Sequence, residues 1–173
     1  MKTISSDWIA DLPDDGERAY DRRLQEARSS AITFMGLARK PSGQVVRRLA
    51  EKGFEPGIID HVLNDLQADG YLDDLSLAAR IVRQRQDGRQ AESKEALRRR
   101  MLGQGLAEDA VEEALVETVN DRQAALTLLE SRFASEWPTA DRRQLQKIAR
   151  FLAGRGFSAD LVAQILLSRQ ADL

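Results

Sequence analysis

One pattern occurs three times in this chain: "VVRRLAEKGFEPGIIDHVL" at residues 45–63, "LRRRMLGQGLAEDAVEEAL" at residues 97–115, and "IARFLAGRGFSADLVAQIL" at residues 148–166. Each stretch is centred on a glycine, and the three glycines lie 52 and 51 residues apart. Repetition at a fixed period of this length predicts stacked copies of one structural unit. The shared apolar positions are Val45, Leu49, Phe54, Ile59 and Leu63; Leu97, Met101, Leu106, Val111 and Leu115; and Ile148, Leu152, Phe157, Val162 and Leu166.

Each stretch encodes two helices joined by a glycine turn. In the first copy Val45 and Leu49 are four residues apart, the spacing of one face of a helix. Gly53 then predicts a left-handed cap that ends this helix. The apolar Phe54 follows it, at the point where a capped chain contacts its own helix. Pro56 is a helix-start residue, so a second helix begins there.

A further helical pattern lies upstream of each pair, at roughly 17–39, 74–87 and 121–135. The composition, with 42% hydrophobic, 31% charged and only 5% aromatic residues, is also typical of helical proteins. The sequence therefore predicts an all-α fold of three tandem three-helix repeats, stacked in an elongated, curved array. The predicted boundaries are a flexible N-terminal tail at 1–16 and repeats at 17–70, 71–118 and 119–173.

Several classes of function are disfavoured by composition. The chain has no cysteine, which excludes disulfides and thiolate chemistry, and His61 is its only histidine. We find no apolar signal segment, no run long enough to span a membrane and no glycine-rich phosphate loop. We therefore expect a cytoplasmic protein that is not an enzyme, with no catalytic residues, no cofactor, no metal and no membrane partner.

Asp73 and Asp74 form an adjacent carboxylate pair that has two interpretations. A pair of carboxylates can bind Mg²⁺ or carry out acid–base chemistry, but both need further convergent groups. The alternative is a helix start, in which one Asp caps the helix and the other lies in its first turn. We favour the helix start, with Gly70 capping the preceding helix and Tyr71 and Leu72 packing at the junction.

Basic residues are concentrated in short runs and are the remaining candidates for a binding surface. Residues 80–100 hold eight basic and three acidic side chains, whereas residues 106–121 hold six acids and no basic residue. Either oppositely charged neighbouring helices complement each other on a solvated surface, or the basic faces bind phosphates or an acidic protein. The candidate partner-binding residues are Arg80, Arg83, Arg85, Arg98, Arg99, Arg100, Arg143, Lys147 and Arg150.

Four segments carry a family resemblance. "DGYLDD" (69–74), followed by "LAARIVRQR" (77–85) and a helix ending in "GQGL" (103–106), resembles the RecX family, as does "RRLAEKGF" (47–54). The resemblance covers about residues 17–166. It implies three tandem three-helix repeats and binding in the groove of the RecA–DNA filament. It also implies inhibition of ATP hydrolysis, strand exchange and co-protease activity, which would modulate DNA repair, recombination and the SOS response.

The sequence departs from the family pattern between the first two helices of the middle repeat. The family has a Gly-x-Gly-Pro-like stretch there, whereas "DGRQAESKEAL" (87–97) retains only Gly88. Gln44 and Ala96 stand at positions that are often acidic in the family. These departures bear on the detailed contacts of the family and leave the expected fold unchanged.

Three functions remain open at this point. The resemblance favours a non-enzymatic, monomeric regulator of the RecA filament, with non-specific contacts to single- or double-stranded DNA. A direct DNA-binding protein is the first alternative, although the second helix of the middle repeat, "AEDAVEEALVET" (107–118), is acidic and would be repelled by phosphates. A generic helical scaffold is the second alternative, and it would need no basic clustering.

Overall fold

The computed structural model describes residues 15–86, 88–116, 118, 120–134, 136–137 and 139–168, and within them the regular secondary structure is helical. The elements are α1 (Asp15–Met35), α2 (Ser42–Glu51), α3 (Pro56–Ala68), α4 (Asp74–Gln86), α5 (Lys94–Gln104), α6 (Glu108–Val116), α7 (Asp121–Phe133), α8 (Arg142–Gly154) and α9 (Ala159–Ser168), with a short 3-10 turn at Gly88–Gln90. The predicted all-α fold of three-helix repeats is confirmed, as α1–α3, α4–α6 and α7–α9. Helix α1 begins at Asp15, inside the expected tail, whose other residues before it lie outside the described part of the chain.

The glycine turn has the same geometry in every repeat. Gly53, Gly105 and Gly156 have φ angles of 77°, 90° and 88°, a left-handed backbone that glycine adopts without steric cost. In each turn the residue after the glycine donates its N–H to the carbonyl four residues before the glycine, which is the long bond of a Schellman cap. The predicted caps are therefore confirmed. The bonds run from Phe54 to Leu49 (3.2 Å), from Leu106 to Met101 (3.2 Å) and from Phe157 to Leu152 (3.3 Å).

The chain divides into two compact units. The first unit holds α1–α3 and ends at Leu72, and its core contains the fully buried Val45 and Leu49 of α2. These pack with Ala27 of α1 and Leu66 of α3. On the surface, the Arg28 guanidinium lies 2.5 Å from Asp69 and 3.7 Å from Asp65, which ties α1 to α3.

The second unit begins at Asp73 and holds α4–α9, so two repeats share one body. Each repeat keeps its own core, around Leu97 and Met101 in one and around Ile148 and Leu152 in the other. Backbone bonds join them: Ser93 donates its N–H to the Arg155 carbonyl at 3.1 Å. In addition, the Lys94 N–H donates to Asp121 Oδ1 at 2.8 Å. We call this contact between the second and third repeats the seam.

Asp73 and Asp74 each accept a backbone hydrogen bond at the start of a helix. Asp73 Oδ1 accepts the N–H of Ser76 at 2.9 Å, which confirms it as the N-cap of α4. Asp74 has a further role, because its buried carboxylate accepts the N–H of Ala107 at 2.8 Å, just before α6 begins. Leu72 is buried as expected, whereas Tyr71, predicted to pack with it at the junction, keeps 51% of its surface exposed.

Replacing Asp74 with alanine should therefore cost about 1–3 kcal/mol of unfolding free energy, because the Ala107 N–H loses its partner in a partly buried turn. Asp74→Asn keeps an acceptor oxygen and should cost less. Asp73→Asn is the matched control and should be near neutral, because asparagine caps helices about as well as aspartate. Urea unfolding of the three variants tests this, and an Asp74→Ala protein as stable as wild type would show that the bond to Ala107 contributes nothing.

Candidate partner-binding surface

Arg80 and Arg83 lie one turn apart on α4, and both are exposed. Within the described residues, neither arginine side chain forms an ion pair or a hydrogen bond. The opposite side of the helix packs inward through the buried Leu77, Ala78 and Val82, and Ile81 is partly buried beside them. Both guanidinium groups are therefore available to a partner.

Arg85 and Arg100 have an internal role instead. Both contact Glu92, whose side chain is only 7% exposed. Arg100 binds it through two bonds, Nε to Oε2 at 3.0 Å and Nη2 to Oε1 at 2.7 Å, and Arg85 Nη1 lies 3.3 Å from Oε1. The hydrogen bond to Glu92 raises the pKa of Arg100, against the opposing effect of desolvation. These two arginines neutralise a buried acid, which makes them weaker candidates for partner contact.

Arg98 ties α5 to α6. Its Nε and Nη2 atoms lie 2.5 Å from Glu112 and Glu108 on the acidic helix α6. The hydrogen bond to Glu112, followed by the charge of that carboxylate, raises the pKa of Arg98. The contacts of Arg98 therefore support the interpretation in which oppositely charged neighbouring helices complement each other.

Arg99 differs from both of its neighbours. Its side chain is 67% exposed, and its ion pair is with Glu95, one turn earlier, at 3.8 Å. An exposed pair of this kind contributes little, about 0.3–0.5 kcal/mol on a helix. Arg99 therefore joins Arg80 and Arg83, and we call these three residues the open arginines.

The candidate residues Arg143, Lys147 and Arg150 form an exposed basic stripe on α8. Arg143 forms no ion pair within the described part of the chain. Lys147 Nζ lies 3.6 Å from Glu136 and over the ring of Phe133. Arg150 donates to a carbonyl of its own helix, that of Gln146, at 3.3 Å. The stripe thus keeps most of its charge at the surface.

The second unit contains a groove that the sequence analysis did not predict. It has a volume of about 510 Å³ and lies between the C-terminal ends of α5 and α8, lined among others by Arg99, Gly103, Gly154 and Arg155. Arg155 was not among the candidates, and its guanidinium lies 5.2 Å from the ring centre of Phe151. The signal was present, since "RRMLGQG" (99–105) and "RFLAGRG" (150–156) share the pattern Arg-x-x-x-Gly-x-Gly.

Comparison of the three repeats identifies Arg47 as another residue that was not among the candidates. An arginine stands six residues before the turn glycine in every repeat, as Arg47, Arg99 and Arg150, and all three are exposed. In the first repeat, however, Glu51 replaces the first glycine of the pattern and lies 3.6 Å from Arg48. The glycine-containing version is therefore a feature of the second unit.

No metal site is apparent in the described ranges, which contain no group of three His, Asp or Glu side chains placed to hold an ion. His61 is partly exposed, with its Nδ1 3.2 Å from the Tyr20 hydroxyl and its Nε2 3.9 Å from Asp65. None of the described helices is long and apolar enough to cross a lipid bilayer.

Comparison with known folds agrees with the three-helix repeats. A family model described as the third three-helix domain of RecX matches residues 120–166, which span α7–α9. The crystal structure of RecX from Lactobacillus salivarius superposes with a TM-score of 0.67 at 18% identity, covering 87% of this chain and 99% of that one. At this identity the likeness concerns the fold.

Relatives of higher identity cover most of the chain. The regulatory protein RecX of Leptothrix cholodnii is 30% identical over 149 residues, which are 86% of this chain and 92% of the relative. The regulatory protein RecX of Halorhodospira halophila is 31% identical over 140 residues, covering 80% of this chain and 84% of the relative. The chain therefore belongs to the RecX family of regulatory proteins.

Proposed function

We propose that this protein binds the RecA–DNA filament as a monomer and inhibits its ATP hydrolysis, strand exchange and co-protease activity, without catalysing a reaction itself. The observation that carries the proposal is the set of open arginines, Arg80, Arg83 and Arg99. They remain exposed in a repeat where the neighbouring Arg98 and Arg100 are held by carboxylates. Membership of a family of regulatory proteins supports the same conclusion. Action on a chromosomal filament would place the protein in the cytoplasm.

The mechanism follows from multivalent binding. Each exposed charge pair contributes little by itself, about 0.2–1 kcal/mol. Several cations on one rigid body add their contributions, because the second and later contacts form within an already bound complex. The open arginines would meet acidic side chains of the recombinase or phosphates of its DNA, and a stoichiometrically bound protein would then obstruct the filament.

The two alternative functions are less well supported. A helix-turn-helix reader would place α6 in a DNA groove, but α6 presents Glu108 and Glu112, which already neutralise Arg98. A generic helical scaffold gives no reason for exposed arginines without carboxylate partners on α4.

The test is inhibition of recombinase ATPase on single-stranded DNA by a triple variant, Arg80→Glu, Arg83→Glu and Arg99→Glu. If each contact is worth about 0.2–1 kcal/mol, the concentration for half inhibition should rise by about 3- to 150-fold. The effect should shrink as salt screens the wild-type contacts. The matched control is Arg122→Glu with Arg132→Glu, two exposed arginines of α7 that form no ion pair among the described residues. Equal potency of the triple variant and wild type at every salt concentration would remove the open arginines from the mechanism.

A further inference from the structure

The groove between α5 and α8 contains more arginine side chains than its neighbouring carboxylates neutralise. Its lining includes Glu92, Arg99, Arg100 and Arg155. Glu92 is already neutralised by the two bonds from Arg100 and by Arg85. Arg99 has the 3.8 Å pair with Glu95, and Arg155 lies over the ring of Phe151. The groove thus carries one guanidinium group with only a long, exposed ion pair, that of Arg99, and a second, that of Arg155, which forms no ion pair among the described residues.

The helix carbonyls at this end of α5 and α8 do not account for the arginines. Helix C-termini carry partial negative charge that attracts cations. Here, however, the Met101 and Leu152 carbonyls accept the N–H groups of Leu106 and Phe157, and Leu102 and Ala153 accept those of Gly105 and Gly156. Because the caps already satisfy these carbonyls, Arg99 and Arg155 are not needed for that purpose.

Two glycines of the groove are also unexplained by the fold. Gly103 and Gly154 lie within helices α5 and α8, and neither adopts the left-handed backbone seen at the turn glycines. A Cβ atom at either position would meet no atom within 4 Å outside its own helix backbone. Glycine is a poorer helix former than alanine, so it weakens both helices without relieving any clash. A glycine in open space beside arginines does allow another molecule to approach the backbone closely.

From the groove's volume, the guanidinium groups of Arg99 and Arg155 and its open glycines, we infer that it binds the phosphate backbone of single-stranded nucleic acid. Its volume of about 510 Å³ lies in the range of sites for small molecules or short polymer segments. Guanidinium groups bind phosphate oxygens through paired, charge-assisted hydrogen bonds. Basic grooves that follow the backbone, with aromatic rings nearby, are the general mode of single-strand binding. The inference rests on the proposed function only in its choice of nucleic acid as the ligand.

The experiment measures binding of the full chain to a fluorescent oligothymidylate of about 16 nucleotides, by anisotropy and without recombinase. Two variants change the groove: Arg99→Gln with Arg155→Gln, and Gly103→Ala with Gly154→Ala. The control, Arg122→Gln with Arg132→Gln, removes the same charge from α7 of the same unit. For the arginine variant, the slope of log affinity against log salt should fall by about 1.4, because each phosphate contact on a single strand contributes about 0.7.

The glycine variant separates binding from folding. Alanine at two open helical positions should raise the melting temperature, by about 2–8 °C, while weakening oligonucleotide binding several-fold. Wild-type affinity in the glycine variant, an unchanged salt slope in the arginine variant, or an equal loss in the α7 control would each overturn the inference. If the groove variants bind the oligonucleotide normally but lose recombinase inhibition, the groove binds an acidic protein surface instead. That result would overturn the inference and leave the proposed function standing.

Discussion

Gly156→Ala should destabilise the second unit by about 2–5 kcal/mol, because it combines two costs. Gly156 has a φ angle of 88°, and a residue with a Cβ atom in this left-handed region loses roughly 1–2 kcal/mol. Its Cβ atom would also lie 2.6 Å from Ala96 Cβ and 2.7 Å from Ser93 Oγ. Overpacking of this kind costs about 1–3 kcal/mol. Ser93 has little room to move, since its hydroxyl caps α5 by accepting the Ala96 N–H.

Gly53→Ala is the matched control for this variant. Gly53 occupies the same turn of the first repeat, with a φ angle of 77°, but a Cβ atom there would meet nothing within 4 Å. Only the backbone cost of about 1–2 kcal/mol should remain. Urea unfolding gives the two free energies, and hydrogen exchange assigns each loss to its unit. If both variants lose the same amount, the seam relaxes around the methyl group and its tight packing is not a source of stability.

The turn at Gly156 also illustrates what the sequence can predict. The apolar spacing of Ile148 and Leu152 and the glycine that follows them specify a capped helix within a few residues. Because these signals are local and occur three times, the helices and their caps could be predicted before the structure was known. The tight contact of Gly156 with Ala96 could not, because those residues are far apart in the chain and belong to different repeats.

The candidate site was less predictable for the same reason. Arg98, Arg99 and Arg100 are adjacent, and no local pattern in the sequence separates their roles. Their environments depend on distant residues: Arg98 contacts Glu112 of the next helix, and Arg100 contacts Glu92 across the first turn of α5. Glu92 itself lies in the stretch that departs from the family pattern, and no sequence signal distinguishes it from an exposed loop acid. Burial of a charge is decided by which side chains converge on it, and composition does not record that.

Glu92→Ala should destabilise the second unit by about 2–3 kcal/mol without changing its backbone geometry. Removing one partner of a buried ion pair typically costs about 3–5 kcal/mol, because the remaining charge is left uncompensated. The cost should be lower here, since the side chains of Arg85 and Arg100 are 32% and 37% exposed and can turn towards water. Glu92→Gln should lose less, because it keeps the shape and an acceptor oxygen. Urea unfolding monitored by circular dichroism measures both values.

A double-mutant cycle then tests whether the loss comes from the ion pair. Arg100→Met removes the charge while keeping an apolar stem of similar length. In the wild-type background it should cost more than Arg85→Met, because Arg100 binds Glu92 through bonds of 2.7 and 3.0 Å and Arg85 through one of 3.3 Å. In the Glu92→Gln background the cost of Arg100→Met should fall, by a coupling of about 0.5–3 kcal/mol. If Arg100→Met costs the same in both backgrounds, Arg100 contributes nothing to the stability of Glu92 and returns to the set of arginines available for binding a partner.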